Sequence, residues 1–271
     1  MRQFAIFLTI FAPATIVTFT FGQTGFLSSA LILGGVRLAA NRPIISGALF
    51  GLASFKPQLG ILIPIALISA RLWRTLAAAA VTVLLLVLAS SITFGSSIWP
   101  LWLAKLFAHA DWVANMKPRL QPTMTASLIT LGVDVATARI VQALVGVVVA
   151  ILIWVCFRRG VTMLATAALL VGTFLAAPYA FLYDMPIVTN TVLAVLRHKD
   201  QTNRDLTIAE IFVLGLALID PAIMLETWRL SVIRCLPLIL LFGLIMGRIF
   251  GLRENASKSG YVLPEKRLRA G

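Results

Sequence analysis

The feature that most constrains this fold is a charged break between two apolar runs, each too short to cross a bilayer. Residues 44–55 and 59–70 flank the tripeptide Lys56-Pro57-Gln58. A helix of about 12 residues spans about 18 Å, whereas the hydrocarbon core is about 30 Å thick. Pro57 removes a backbone donor and disfavours helix at Lys56, so the helix must break there. We therefore expect a short broken hairpin at 44–70 with a lysine at its tip.

The composition places the rest of the chain in the membrane. Hydrophobic residues make up 60% of the 271 residues, charged residues make up 12%, and the mean hydropathy is +0.97. Soluble domains carry about twice that charge. We predict an all-α, polytopic membrane protein with about 9–10 membrane segments. Besides the two hairpin arms, the predicted segments are residues 4–21, 25–40, 75–93, 138–157, 161–181, 186–196, 206–224 and 230–250.

The basic residues predict the orientation of the segments. The net charge is +13, and 16 of the 23 Lys and Arg residues fall on one side of the predicted path. Because loops rich in Lys and Arg tend to stay in the cytoplasm, we assign that side as cytoplasmic. The positive charge is thereby explained by membrane topology, and binding of nucleic acid is not indicated. The basic loops all fall on one side of the membrane only if the hairpin returns to the side from which it came. We predict a multi-pass protein of the cell (inner) membrane, with residues 1–250 as one transmembrane domain and 251–271 as a disordered, basic cytoplasmic tail.

The predicted extracytoplasmic loop 94–137 is the longest one. Trp99 and Trp102 are typical of a helix lying at the bilayer surface, and Lys117 and Arg119 could clamp a phosphate there. Asp111 lies in the same loop. The two cysteines stand alone in apolar segments, and no spacing of His, Cys or carboxylates indicates a metal or another cofactor.

Four short stretches, taken in order, are similar to a known family. The stretches are Phe21-Gly22-Gln23-Thr24-Gly25-Phe26, the run from Gly47 through Lys56-Pro57-Gln58 to Gly60, Arg71-Leu72-Trp73-Arg74, and Ala177-Pro178-Tyr179 to Tyr183-Asp184. In this order they resemble glycosyltransferase family 87, membrane enzymes of the GT-C fold. The resemblance covers residues 10 to 195. It implies transfer of a hexose, mannose in the best-known members, from a polyprenyl-phosphate donor to a lipid or glycan acceptor on the extracytoplasmic face.

The resemblance also implies roles for individual residues. Lys56 and Gln58 would stabilise the leaving phosphate, with Gln23, Tyr183 and Asp184 lining the same cavity. The family carries its catalytic aspartate in an early extracytoplasmic loop, and this chain begins at the helix before the first shared stretch. We therefore interpret the chain as a truncated copy or as the product of a mis-called start. The catalytic carboxylate is then unassigned, with Asp184 and Asp111 as the remaining candidates.

Two alternatives remain open from the sequence. Broken helices with a cation at mid-depth are also typical of transporters or flippases of lipid-linked or anionic solutes, although those folds usually contain repeated halves and none is visible here. A non-catalytic fragment that only packs in the membrane is the second. Glycines four residues apart, Gly47 with Gly51 and Gly243 with Gly247 and Gly251, predict close helix packing.

Overall fold

The computed structural model describes the backbone of residues 2–105, 120–226 and 234–258, and the side chains of 3–105, 120–223 and 234–251. Within these ranges the secondary structure is helical, without a strand. The helices are α1 (Arg2–Phe11), α2 (Pro13–Thr20), α3 (Gly25–Leu38), α4 (Pro43–Leu52), α5 (Ile63–Ser69), α6 (Trp73–Phe94), α7 (98–105), α8 (Met124–Thr130), α9 (Val135–Arg158), α10 (Met163–Ala176), α11 (Pro186–Thr202), α12 (Ile208–Glu226) and α13 (Leu236–Lys258).

The predicted all-helical membrane fold is confirmed. In the described ranges α6 and α9 are long and apolar enough to cross a membrane, and α1 with α2 forms a third span if this bent pair, 46° at its break, is one segment. The bend falls at Pro13, which removes a helical hydrogen bond. The other apolar helices are shorter. Only 6% of the most apolar 18-residue stretch of α6 is buried inside the protein, as expected for a helix that faces lipid.

The break at Lys56 is present, and the chain doubles back there. A 3-10 turn follows α4, the backbone at Lys56 leaves the helical region with φ −125° and ψ 73°, and a second 3-10 turn, Pro57–Gly60, leads to α5. Helices α4 and α6 lie in parallel, because Gly47 faces Thr75 and Gly51 faces Thr82. Both helices therefore begin at the same end of the bundle, so the segment between them is a re-entrant hairpin.

Close packing at glycines holds α4 against α6. A Cβ on Gly47 would lie 2.4 Å from the Ala78 Cβ, and one on Gly51 would lie 2.4 Å from the Thr82 Cβ. The predicted small-residue contact is thus confirmed at these two positions. It is not met at Gly243, Gly247 and Gly251, where the described part of the chain places no atom within 4 Å of an added Cβ.

Helix α10 is the centre of the core. It packs against α9, α11 and α13. Ala167, Val171 and Phe174 on different sides of the helix are each 0% exposed. A helix that is apolar on all sides fits a fully buried position. Because α10 is fixed by its neighbours, the segment that follows it has a rigid anchor.

The hairpin-tip end, defined as the end of the bundle that carries Lys56, gathers loops from distant parts of the sequence. The Thr18 hydroxyl donates to the Tyr183 carbonyl at 2.8 Å. The Cys235 amide at the start of α13 donates to the Ser127 hydroxyl on α8 at 3.4 Å. These contacts place the ends of α2, α8, α10 and α13 at one end, as the predicted topology requires.

The opposite end of the bundle is called the basic end, because it collects the basic loops. Arg248 donates from Nε to a Glu210 oxygen at 2.8 Å, joining α13 to α12. The Arg159 guanidinium lies 4.5 Å from the centre of the Phe250 ring. The grouping of loops into two ends therefore agrees with the predicted path, and the assignment of the basic end to the cytoplasm stays a prediction.

Candidate functional site

The segment after α10 leaves the helix because of a proline. Ala177 precedes Pro178 and takes an extended conformation with ψ 135°, which ends the helix at Ala176. After a bend at residues 177–178, Phe181 is extended, with φ −117° and ψ 156°, and a 3-10 turn, Leu182–Asp184, follows. This geometry carries the residues that follow Pro178 across the hairpin-tip end.

Three aromatic side chains form a row along this segment. Alternate residues of an extended chain point to the same side, so Tyr179, Phe181 and Tyr183 are neighbours. Their ring centres are 6.4 Å apart for Tyr179 with Phe181 and 5.0 Å apart for Phe181 with Tyr183, the latter pair stacked. We call these three residues the aromatic row. Tyr183, at its end, reaches the hairpin.

Lys56 lies at the end of the aromatic row and is ion-paired. Its Nζ is 2.5 Å from the Asp184 Oδ1 and 5.3 Å from the centre of the Tyr183 ring. The Lys56 side chain is 15% exposed, whereas that of Asp184 is 1% exposed. The Lys56 side chain is therefore the more exposed member of the pair, and the Asp184 carboxylate is the buried one.

Burial shapes the electrostatics of this loop, which lies outside the membrane-spanning helices. Burial raises the pKa of Asp184 above its ordinary value, and the charge of Lys56 beside it opposes that rise. Burial, and then the charge of Asp184, also raises the pKa of the Tyr183 phenol. Tyr183 consequently stays protonated and can donate a hydrogen bond, so the accessible groups are a cation and a neutral donor.

The turn between α2 and α3 fixes the position of Tyr183. A Cβ on Gly25 would lie 2.0 Å from the Tyr183 carbonyl oxygen, so only glycine allows this approach. The same carbonyl accepts the hydrogen bond from Thr18. The Phe21 ring lies 6.0 Å from the Tyr183 ring. Three separate stretches of the sequence thus meet around Tyr183 and Lys56.

The structure brings together Lys56, Tyr183 and Asp184 of the predicted site residues. Gln23 lies exposed in the turn before α3, and Gln58 is half-buried in the 3-10 turn after Lys56. Neither glutamine side chain makes a hydrogen bond within the described ranges. The remaining predicted residues, Lys117, Arg119 and Asp111, lie outside the described residues.

A cavity that the sequence did not predict lies beside the aromatic row. It measures about 710 Å³ and is bounded by α5, α8, α9 and the end of α10, with Tyr179 in its wall. Arg139 and Gln142 of α9 also line it. The one available signal was Gln142, an amide inside an otherwise apolar run. We call this cavity the α5–α9 groove.

Further charged groups are buried between the last two helices. At the hairpin-tip end Asp220 is 4% exposed and Arg234 is 3% exposed, and the charge of Arg234 acts on the Asp220 carboxyl. At the basic end Arg248 is 3% exposed beside Glu210. The ion pair between Glu210 and Arg248 joins α12 to α13. Within the described ranges no group of three or more His, Cys, Asp or Glu residues could hold a metal ion.

These features define a polytopic helical membrane protein with a cation, a phenol and an apolar groove at one end. A profile of glycosyltransferase family 87 matches residues 1–182. The chain therefore belongs to glycosyltransferase family 87, a family of membrane glycosyltransferases. The match includes Lys56 and the α9 side of the groove, and it ends one residue before Tyr183. Searches of curated proteins and of solved structures found no match.

Proposed function

We propose that this protein transfers a hexose, mannose in the first instance, from a polyprenyl-phosphate donor to an acceptor on the extracytoplasmic face of the cell (inner) membrane, with its C-terminus in the cytoplasm. The observation that carries the proposal is the partly exposed Lys56 side chain, paired with buried Asp184 beside Tyr183. Family membership supports the transfer of a sugar. The donor, the hexose and the GT-C fold come from the resemblance in the sequence.

The chemistry requires a group that accepts negative charge. In the transfer, the bond from the sugar C1 to the phosphate oxygen breaks and a bond from C1 to the acceptor oxygen forms. The leaving lipid phosphate gains a negative charge, which a fixed cation and a hydrogen-bond donor stabilise in the transition state. Lys56 and Tyr183 are such a pair, because one ion pair to Asp184 leaves two N–H donors of Lys56 for a ligand.

Asp184 acts in this proposal as a positioning residue. Its carboxylate is 1% exposed and one oxygen bonds to Lys56, so it cannot reach an acceptor hydroxyl in this arrangement. Its charge instead fixes the lysine at the surface of the site. The acceptor proton would go to another carboxylate, for which Asp111 stays a candidate from the sequence.

Transfer of labelled mannose tests the proposal. Membranes containing the wild type, Lys56→Met, Tyr183→Phe or Arg197→Ala would receive polyprenyl-phosphate-[³H]mannose, and lipid and glycan products would be counted. Removing one charge-stabilising donor typically lowers turnover roughly 100- to 1,000-fold, so Lys56→Met should lose nearly all transfer. Arg197, an exposed cation at the basic end, is the matched control and should retain it.

The same assay separates the alternatives. Unchanged transfer in Lys56→Met, with protein amount equal to wild type, would refute the role of Lys56. Uptake of an anionic solute into vesicles, without any labelled product, would favour a transporter instead.

A further inference from the structure

Four arginines in the first part of the chain have no acidic residue near them. They are Arg37, Arg42, Arg71 and Arg74, and the first carboxylate in the sequence is Asp111. All four are exposed, and within the described ranges none of their guanidinium groups forms an ion pair. We call these four residues the arginine patch. Like charges without carboxylates produce a positive potential, which concentrates anions at this surface.

The two turns that carry the arginine patch contact each other at the basic end. One turn connects α3 to α4, and the other connects α5 to α6. The Thr75 hydroxyl at the start of α6 donates to the Ala39 carbonyl in the first turn at 3.3 Å. Every arginine of the patch is within four residues of Thr75 or Ala39 along the chain. The patch is therefore one surface, although its members come from separate turns.

The length of α6 places the arginine patch at the boundary of the bilayer. Helix α6 has 22 residues, which span about 33 Å at 1.5 Å per residue, and the hydrocarbon core is about 30 Å thick. Its first residue, Trp73, is 57% exposed. Tryptophan is typical of the membrane–water interface, so the start of α6 lies at the depth of the lipid headgroups. The turns beside it lie at the same depth.

The cations of α11 and α13 at the same end differ from the arginine patch, because carboxylates accompany them. Arg248 donates from Nε to a Glu210 oxygen at 2.8 Å. The Lys199 Nζ lies 3.8 Å from an Asp205 oxygen. The protein itself thus supplies part of the counter-charge for these residues, whereas the arginine patch depends on anions from its surroundings.

We propose that the arginine patch binds the headgroups of anionic phospholipids in the leaflet next to the basic end. Such a headgroup supplies the negative charge that this part of the chain lacks, and the fork of an arginine donates two parallel hydrogen bonds to a phosphate. Because the patch includes the base of the re-entrant hairpin and the start of α6, bound headgroups also hold these two turns together. This inference does not depend on the proposed reaction.

Photo-cross-linking in nanodiscs tests this surface without sugar transfer. The purified chain would be placed in phosphatidylcholine nanodiscs that contain a trace of photoreactive phosphatidylglycerol, or of phosphatidylcholine with the same reactive group. Cross-linked residues would be mapped by mass spectrometry. We expect phosphatidylglycerol to react preferentially with residues 37–42 and 71–74. Unlabelled phosphatidylglycerol should compete, whereas inorganic phosphate should not, because only the lipid is held at the depth of the patch.

Matched variants at the basic end provide the controls. Arg42→Gln combined with Arg74→Gln should lower cross-linking of phosphatidylglycerol to the patch about 25-fold, because each arginine near a membrane surface strengthens its attraction to anionic lipid about fivefold. Arg42→Lys combined with Arg74→Lys keeps both charges and should retain most of the cross-linking. Arg197→Gln combined with Arg204→Gln removes two exposed cations of α11 and the turn after it, and should leave the patch unchanged.

Melting temperatures give a second readout. In phosphatidylcholine alone, the wild type and the Gln variant of the patch should melt at the same temperature, because the replaced side chains are exposed. Phosphatidylglycerol should raise the melting temperature of the wild type, since a ligand that binds the folded state stabilises it, and should raise that of the Gln variant less.

Several results would overturn this inference. They are equal cross-linking of the two lipids at the patch, equal losses in the Gln variants of the patch and of the control, and a loss in the Lys variant as large as that in the Gln variant. An identical rise in melting temperature for the wild type and the Gln variant would also contradict it. Competition by inorganic phosphate as strong as that by phosphatidylglycerol would indicate a site for a free anion instead of a lipid surface.

Discussion

Lys56 and Asp184 are 128 positions apart in the sequence and form one partly buried contact. Removing two charges from water costs several kcal/mol per ion, and their attraction offsets this only while both are present. The intact pair therefore adds little to the free energy of unfolding, whereas removing one of its two members lowers that free energy strongly. It also fixes the lysine ammonium beside the Tyr183 ring, which is where its proposed role requires it.

A double-mutant cycle tests this coupling. Lys56→Met or Asp184→Asn alone should lower the free energy of unfolding, the first by roughly 3–5 kcal/mol because it leaves a buried charge unpaired. The double variant should be more stable than the sum of the two losses predicts. Thermal unfolding in detergent, followed by circular dichroism, gives the values, and strictly additive losses would show that the two groups do not interact.

Gly25 offers a second prediction for a single residue. Gly25→Ala would place a methyl group 2.0 Å from the Tyr183 carbonyl, so the loop of Tyr183 and Asp184 must move. We expect a loss of stability of about 1–3 kcal/mol and weaker sugar transfer. Gly243→Ala is the control, because no described atom lies within 4 Å of its added Cβ. Equal melting temperatures for both variants would contradict the close approach.

Among the elements, the short hairpin depends on α6 for its position. Helix α4 has only 10 residues, and its glycine face lies directly on Thr75, Ala78 and Thr82 of α6. Without a hydrophobic driving force between helices in lipid, such backbone proximity is what holds short segments together. The hairpin tip, and with it Lys56, is thus placed by contacts of Gly47 and Gly51, in the middle and at the last turn of α4.

Enlarging the α4 glycines should release the hairpin. Gly47→Leu and Gly51→Leu should each cost about 1–3 kcal/mol or more, because there is no room for the side chain between the helices. Gly247→Leu, on the open face of α13, should cost much less. Proteolysis rates and melting temperatures in detergent would report the difference, and similar values for all three variants would argue against the parallel α4–α6 contact.

The whole molecule is polarised between a hairpin-tip end and a basic end. Arg248 with Glu210 and Arg159 with Phe250 mark the basic end. Lys56, the aromatic row and the mouth of the groove mark the other. Under the proposed function, the cations of the basic end would set the orientation in the membrane, whereas Lys56 at the other end would contact the ligand.

Cysteine labelling tests the orientation of the two ends. Cys156 and Cys235 are 2% and 4% exposed, so the wild type should react slowly with an impermeant maleimide. In intact cells Gln58→Cys should be labelled from outside, whereas Arg197→Cys should react only after the membrane is opened. Labelling of Gln58→Cys only in opened cells would reverse the predicted topology.

The sequence by itself determined the helical membrane class, the break at Lys56 and the grouping of basic loops, because these follow from local composition and from proline chemistry. It also indicated Lys56, Tyr183 and Asp184, through a resemblance whose first three stretches lie inside the region that the family profile matches. Only the tertiary structure decided that Asp184 is hidden behind Lys56 and that Arg139 and Thr125 share a groove with Tyr179. Those facts depend on how separate helices approach one another in three dimensions, and no local pattern encodes that approach.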